Sequence, residues 1–200
     1  MRYGEVLLRI TLVHWILLGI FPLLGAAYYG SAWFRRPYSL RHIGWLKPIV
    51  IGLVWTGVVF IYPLLFTAWI HPERVSSSWF TVLLFLKSVL YITSLAILFD
   101  AKDTQSDHAH HLKTWMVRMG KHRTLYTLLL PLTILGAFSW MGYGILQGVT
   151  TWRMAWAAVP FVLLLATLWD LKRERHVLYY LIVVDGLMLI KAICGILAMQ

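Results

Sequence analysis

The chain has 200 residues, 60% of them apolar and 13% charged, where a soluble domain carries about 45–50% and about 25%. That composition excludes an ordinary water-soluble domain. The net charge of +10 would suggest nucleic acid in a soluble chain; here it is read by its position around membrane spans, with membrane lipid and not nucleic acid as the expected partner.

A spanning helix needs about 20 mostly apolar residues, because the hydrocarbon core is about 30 Å thick and each residue rises about 1.5 Å. Six stretches qualify, at 6–30, 45–70, 79–99, 124–147, 152–169 and 176–199. The expected fold is an all-α polytopic membrane protein, with residues 1–200 forming one transmembrane helical domain. The first stretch ends on small residues Gly25, Ala26 and Ala27, as a signal peptide would. Its apolar segment is too long for one and carries Arg9 and His14, so it reads as a retained span. His14 fits a hydrogen-bonded packing residue better than a ligand. Trp33, Trp45, Trp79 and Trp152, near span ends, fit interfacial belts.

Ionisable groups inside spans are functional candidates by default. Lys87 lies near the middle of the third span and Asp185 near the middle of the sixth. A structural ion pair across the bundle is the first expectation for them, and lining a cavity is the second role open to Asp185. Lys191 lies toward the outer end and can snorkel. In the fourth span, Trp140 and Tyr143 read as packing residues, with stabilisation of a carbocation by their π faces as the alternative. Gly136, Gly142 and Gly144 read as close-contact positions. The lone Cys194 lies in an apolar run and allows no intramolecular disulfide.

Basic residues fix an expected topology. Arg35, Arg36, Arg41 and Lys47 precede the second span; Lys102, Lys113, Arg118, Lys121 and Arg123 fill the 100–123 connection; Lys172, Arg173 and Arg175 precede the sixth. The other two connections hold only Arg74 and Arg153, a split of twelve against two. Short cytoplasmic loops are the ones enriched in Lys and Arg. Both termini are therefore expected outside a cytoplasmic (inner) membrane, with the 100–123 connection in the cytoplasm.

That connection also carries Asp100, Asp103 and Asp107. If the third span continues as a helix beyond Phe99, offsets of 0, 3 and 7 residues at about 100° each put the three carboxylates within an arc of about 60°. Like charges at such spacing repel, and hard oxygen ligands suit Mg²⁺, which completes its octahedron with water and phosphate oxygens. Lys113 and Arg118 downstream could hold the phosphate. A plain solvated loop is the competing reading. His108, His110 and His111 are poorly spaced for one tetrahedral site and read as solvated.

The stretch Asp100-Ala101-Lys102-Asp103-Thr104-Gln105-Ser106-Asp107, followed by Lys113-Thr114 and an apolar run ending at Gly120, resembles the second aspartate-rich motif of the UbiA superfamily of intramembrane prenyltransferases. The resemblance implies a bundle in which aspartate motifs hold Mg²⁺ and a prenyl diphosphate. Ionisation of the allylic carbon–diphosphate bond then gives a carbocation that a lipophilic acceptor captures. It implies that Asp100, Asp103 and Asp107 hold metal and that Lys113 and Arg118 contact diphosphate. The first motif of that family begins Asn-Asp, and this sequence contains no Asn. The six spans thus resemble helices four to nine of the family bundle, and the chain is expected to be incomplete as a catalyst. Two other classes stay open: a non-catalytic scaffold of the same family, and a transporter or lipid-binding protein using Lys87 and Asp185.

Overall fold

The computed structural model describes residues 12–29, 43–70, 79–173 and 175–199. Every regular element among them is helical. In chain order these are α1 (Leu12–Tyr29), α2 (Gly44–Ile70), α3 (Trp79–Ala109), the short α4 (Trp115–Met119), α5 (Lys121–Leu146), α6 (Thr151–Asp170) and α7 (Val177–Leu197). Of these, α2, α3, α5, α6 and α7 are long and apolar enough to cross a membrane. The first expected span is represented by the shorter apolar helix α1; its residues 6–11 lie outside the described residues, as does Trp33.

The centre of the bundle is α3. It packs against α2 on one side and α5 on the other; α6 joins α5 to α7, the π turn near the start of α7 returns to α3, and α1 lies against α2. Residues 91–98 of α3 are buried on every side, as befits a helix that is apolar all round. Tyr91, Leu98, Leu129, Leu164 and Val184 form the core around it. At Gly52 of α2 a Cβ would stand 3.2 Å from the backbone nitrogen of Thr93, so glycine sets how closely α2 approaches α3. Gly136 and Gly144 serve the same purpose against Phe161 and Met154, whereas Gly142 has open space beside it. The outer faces carry exposed Val59, Phe66, Ile145, Val162 and Ile196. Apolar surface of that extent suits lipid as the solvent.

Three helices contain a π-helical turn, at Gly57–Ile61 in α2, Thr124–Leu129 in α5 and Tyr180–Val184 in α7. The N–H groups of Tyr62 and Leu130 reach five residues back, to the carbonyls of Gly57 and Leu125. Pro63 and Pro131 follow one residue later. Proline lacks the N–H of the normal helical bond and its ring crowds the carbonyl four residues back, which a widened turn relieves. No proline accompanies the third turn.

Candidate functional site

At 31 residues, α3 is about 46 Å long, well beyond a hydrocarbon core of about 30 Å. Its last ten residues therefore project past the apolar run and carry the aspartates. No Gly or Pro interrupts them, and Thr104 Oγ1 lies 3.1 and 3.0 Å from the carbonyl oxygens of Asp100 and Ala101, keeping its hydroxyl within the helix. The helix ends where His111 takes a positive φ of 55°. There the Leu112 N–H donates to the Asp107 carbonyl at 2.9 Å, a Schellman-type closure.

The expected helical stripe is thus formed, but its three members differ in surroundings. Asp100 is fully buried, and Lys47 Nζ, from the start of α2, donates to its Oδ1 at 2.6 Å. Asp103 is 43% exposed, with Lys102 Nζ at 3.5 Å from its carboxylate. Asp107, expected to stand in water beyond the span, is buried at 7% exposure. The reason is the chain that follows: residues 112–114 fold back against the start of α2, where a Cβ on Gly44 would lie 2.7 Å from the Thr114 nitrogen. Trp115 Nε1 donates to the Trp45 carbonyl at 2.9 Å and closes the same seam.

Thr114 of the Lys-Thr element is buried and caps α4, its Oγ1 accepting from the Val117 N–H at 3.4 Å. Gly120 has φ of 76°, a conformation that glycine adopts without steric cost, and it turns α4 into α5. Thr124 Oγ1 lies 2.9 Å from the Gly120 carbonyl oxygen and 3.1 Å from that of Trp115. Lys113 and Arg118 are exposed, as are His108, His110 and His111.

Two carboxylate oxygens at this end, Asp100 Oδ2 and Asp107 Oδ2, are buried without a hydrogen-bond partner. Buried polar atoms are normally satisfied, and free carboxylate oxygens are the donor type Mg²⁺ takes, commonly one or two per ion. The free oxygens of Asp100 and Asp107 are therefore of the type that fits that ion, with the partly exposed Asp103 carboxylate on the same helical stripe. Asp100 has one oxygen committed to Lys47. Among the described residues no group of three or more His, Cys, Asp or Glu side chains is close enough to hold a metal by itself, so phosphate or water oxygens would complete the shell.

Within the spans, Lys87 and Asp185 do not form the expected ion pair. Lys87 Nζ lies 4.2 Å from the centroid of the Trp140 ring, and Asp185 is exposed on α7. Lys191 does not snorkel to its own end of the bundle; its Nζ lies 4.6 Å over the ring of Tyr91, whose hydroxyl donates to the Leu187 carbonyl at 3.1 Å. Trp140 stacks on Tyr143 at 5.5 Å. The ring of His14 meets that of Trp69 edge-on at 5.3 Å. Sequence reasoning missed Lys47 as a site residue. Its signal, a lone cation at the start of an apolar span opposite the acidic stripe, had been spent on topology. No family model, curated protein or solved structure matches the chain.

Proposed function

We propose that this chain is a UbiA-like membrane protein whose aspartate end binds a prenyl diphosphate through Mg²⁺, as part of a machinery that transfers the prenyl group to a lipophilic acceptor. The observation that carries the reading is the pair of buried, unpartnered oxygens on Asp100 and Asp107, on one face of α3. Asp103 and Asp107 would hold the ion together with the free Oδ2 of Asp100, whose other oxygen Lys47 holds in place, and exposed Lys113 and Arg118 would meet phosphate oxygens. Mg²⁺, when bound, would withdraw charge from the departing diphosphate. The aspartate end faces the cytoplasm in this reading.

A non-catalytic scaffold of the same kind is the second reading, favoured by the Lys47–Asp100 bond, which occupies one oxygen a metal could use. Binding of farnesyl diphosphate to the purified chain in nanodiscs, titrated with Mg²⁺, separates the two. Mg²⁺-dependent binding that is lost in Asp103→Ala and in Asp107→Ala, with helicity and melting unchanged, supports the first. Under it Lys113→Ala weakens binding but keeps its Mg²⁺ dependence. Absence of Mg²⁺-dependent binding, or binding indifferent to both Asp substitutions, leaves the scaffold. With one aspartate motif the 200-residue chain is expected to turn substrate over slowly or not at all; turnover of about 1 s⁻¹ or more would show that other residues replace the first motif.

A further inference from the structure

In the half of the bundle away from the aspartates, two lysines enter the apolar interior from different helices. Lys87 stands eight residues after the start of α3 and Lys191 six before the end of α7, roughly 12 and roughly 9 Å along the two axes. Lys191 Nζ lies over the ring of Tyr91, and Tyr91 is the i+4 neighbour of Lys87 on one face of α3. Both ammoniums thus reach the same face of α3, close enough to repel each other.

The rings behind them are fixed. Trp140 Nε1 donates to the Met154 carbonyl at 3.3 Å and its ring stacks on Tyr143. Tyr91 is fully buried, bonded to the Leu187 carbonyl and edge-on to Phe161 at 5.4 Å. The ammoniums themselves are not tied down. A ring face covers one side of each, and among the described residues no hydrogen bond or ion pair uses their N–H donors, three on each. Both side chains keep partial exposure. Of the described acids, Asp100, Asp103, Asp107 and Asp170 lie at the other end of the bundle, and Asp185 is exposed on α7, about 120° around that helix from Lys191. Two like charges in an apolar interior are costly unless an anion joins them.

We propose that Lys87 and Lys191 form a site for a carboxylate, held between α3, α5 and α7 by two ammoniums that the Trp140 and Tyr91 rings support from behind. The carboxylate can arrive on a long-chain fatty acid or as a small soluble acid; both present the same two oxygens. A phosphate headgroup keeps its charge and stays at the interface, whereas a carboxylic acid enters hydrocarbon in its neutral form and is favoured as the anion beside two cations. The site is independent of the Mg²⁺ reading, because it lies in the other half of the bundle and uses no aspartate.

The test uses the full chain in nanodiscs of phosphatidylcholine with EDTA present, and two probes carrying carbon-13 at the carboxyl carbon, palmitate and acetate, read by NMR. A saturable bound carboxyl signal is expected for at least one of them, distinct from that of acid dissolved in the lipid. Lys87→Gln and Lys191→Gln are each expected to weaken it about ten-fold, since one charge-assisted hydrogen bond is lost. Both variants are expected to fold as the parent does, because each removes a charge from the apolar interior. Asp103→Asn is expected to leave binding intact. Palmitate binding alone identifies delivery through the bilayer, and acetate binding a soluble source. The proposal is overturned if neither probe gives a saturable signal, if either lysine variant binds as the parent does, or if Asp103→Asn abolishes binding.

Discussion

Lys47 Nζ and Asp100 Oδ1, 53 positions apart in sequence, meet at 2.6 Å and join the start of α2 to the first polar turn of α3. The carboxylate is fully buried while the lysine side chain keeps 31% of its exposure. Removing one member of such a pair strands a charge, whereas replacing both is often neutral. Lys47→Met is expected to cost about 3 kcal/mol, the lower end for a buried pair because the cation is partly wet. Lys47→Met with Asp100→Leu is expected to recover most of that. Unfolding titrations in detergent micelles measure both, and a single variant as stable as the parent would show that the pair contributes nothing.

A second prediction concerns the seam over Asp107. Gly44→Ala places a methyl against the backbone of Lys113 and Thr114, with the nearest atom at 2.7 Å. Backbone cannot rotate away as a side chain can, so the 112–114 segment must shift. The expected cost is about 1–3 kcal/mol, the range for overpacking. Hydrogen exchange at the start of α4 is expected to speed up, with α6 unaffected. Unchanged exchange at Val117 would contradict this.

The intramembrane lysines give a third. A charge near the centre of a spanning helix costs about 2.5–3.5 kcal/mol, and a cation over an aromatic face returns about 0.5–2. The balance favours removal, so Lys87→Met, near the middle of its span, is expected to stabilise the purified protein by about 1 kcal/mol, and Lys191→Met, nearer the end of α7, to stabilise it by less. Destabilisation by either substitution would mean that the ammonium is held by more than its ring.

Topology is checked with single cysteines. Lys113 and Gln147 are exposed at opposite ends of the bundle, and the native Cys194 is buried. In intact cells a membrane-impermeant maleimide is expected to label Gln147→Cys but not Lys113→Cys, which reacts only after permeabilisation. The reverse pattern would put the aspartate end outside.

Hydropathy located the crossing segments well because it measures what lipid measures. The stretches at 45–70 and 152–169 became Gly44–Ile70 and Thr151–Asp170. It ended the third span at Phe99, however, while α3 runs on to Ala109, since leaving the bilayer does not require leaving the helix. The aspartate stripe was legible because residues on one helix share a face by arithmetic. Its partner was not: nothing local links Lys47 to Asp100, and only the packing of α2 on α3 does. For the same reason opposite charges at similar depth suggested a Lys87–Asp185 pair, although the rotation of α7 turns Asp185 outward and leaves Lys87 to Trp140. A cavity lined by Lys102, Lys121 and Tyr180 draws on α3, α5 and α7 together, so no single stretch announces it.

The π turns of α5 and α7 both fall within the first turns at the aspartate end. Each adds one residue to the helical count, which offsets everything before it by about 100° from everything after it. Lys121 is therefore phased independently of Trp140, although one helix carries both. Deleting a single residue between Thr124 and Leu129 would swing the Lys121 side chain away from the Arg173 carbonyl while the lipid-crossing part of α5 kept its register. The fold thus holds two adjustable couplings between its membrane anchor and its polar mouth, each set by the presence of one extra residue.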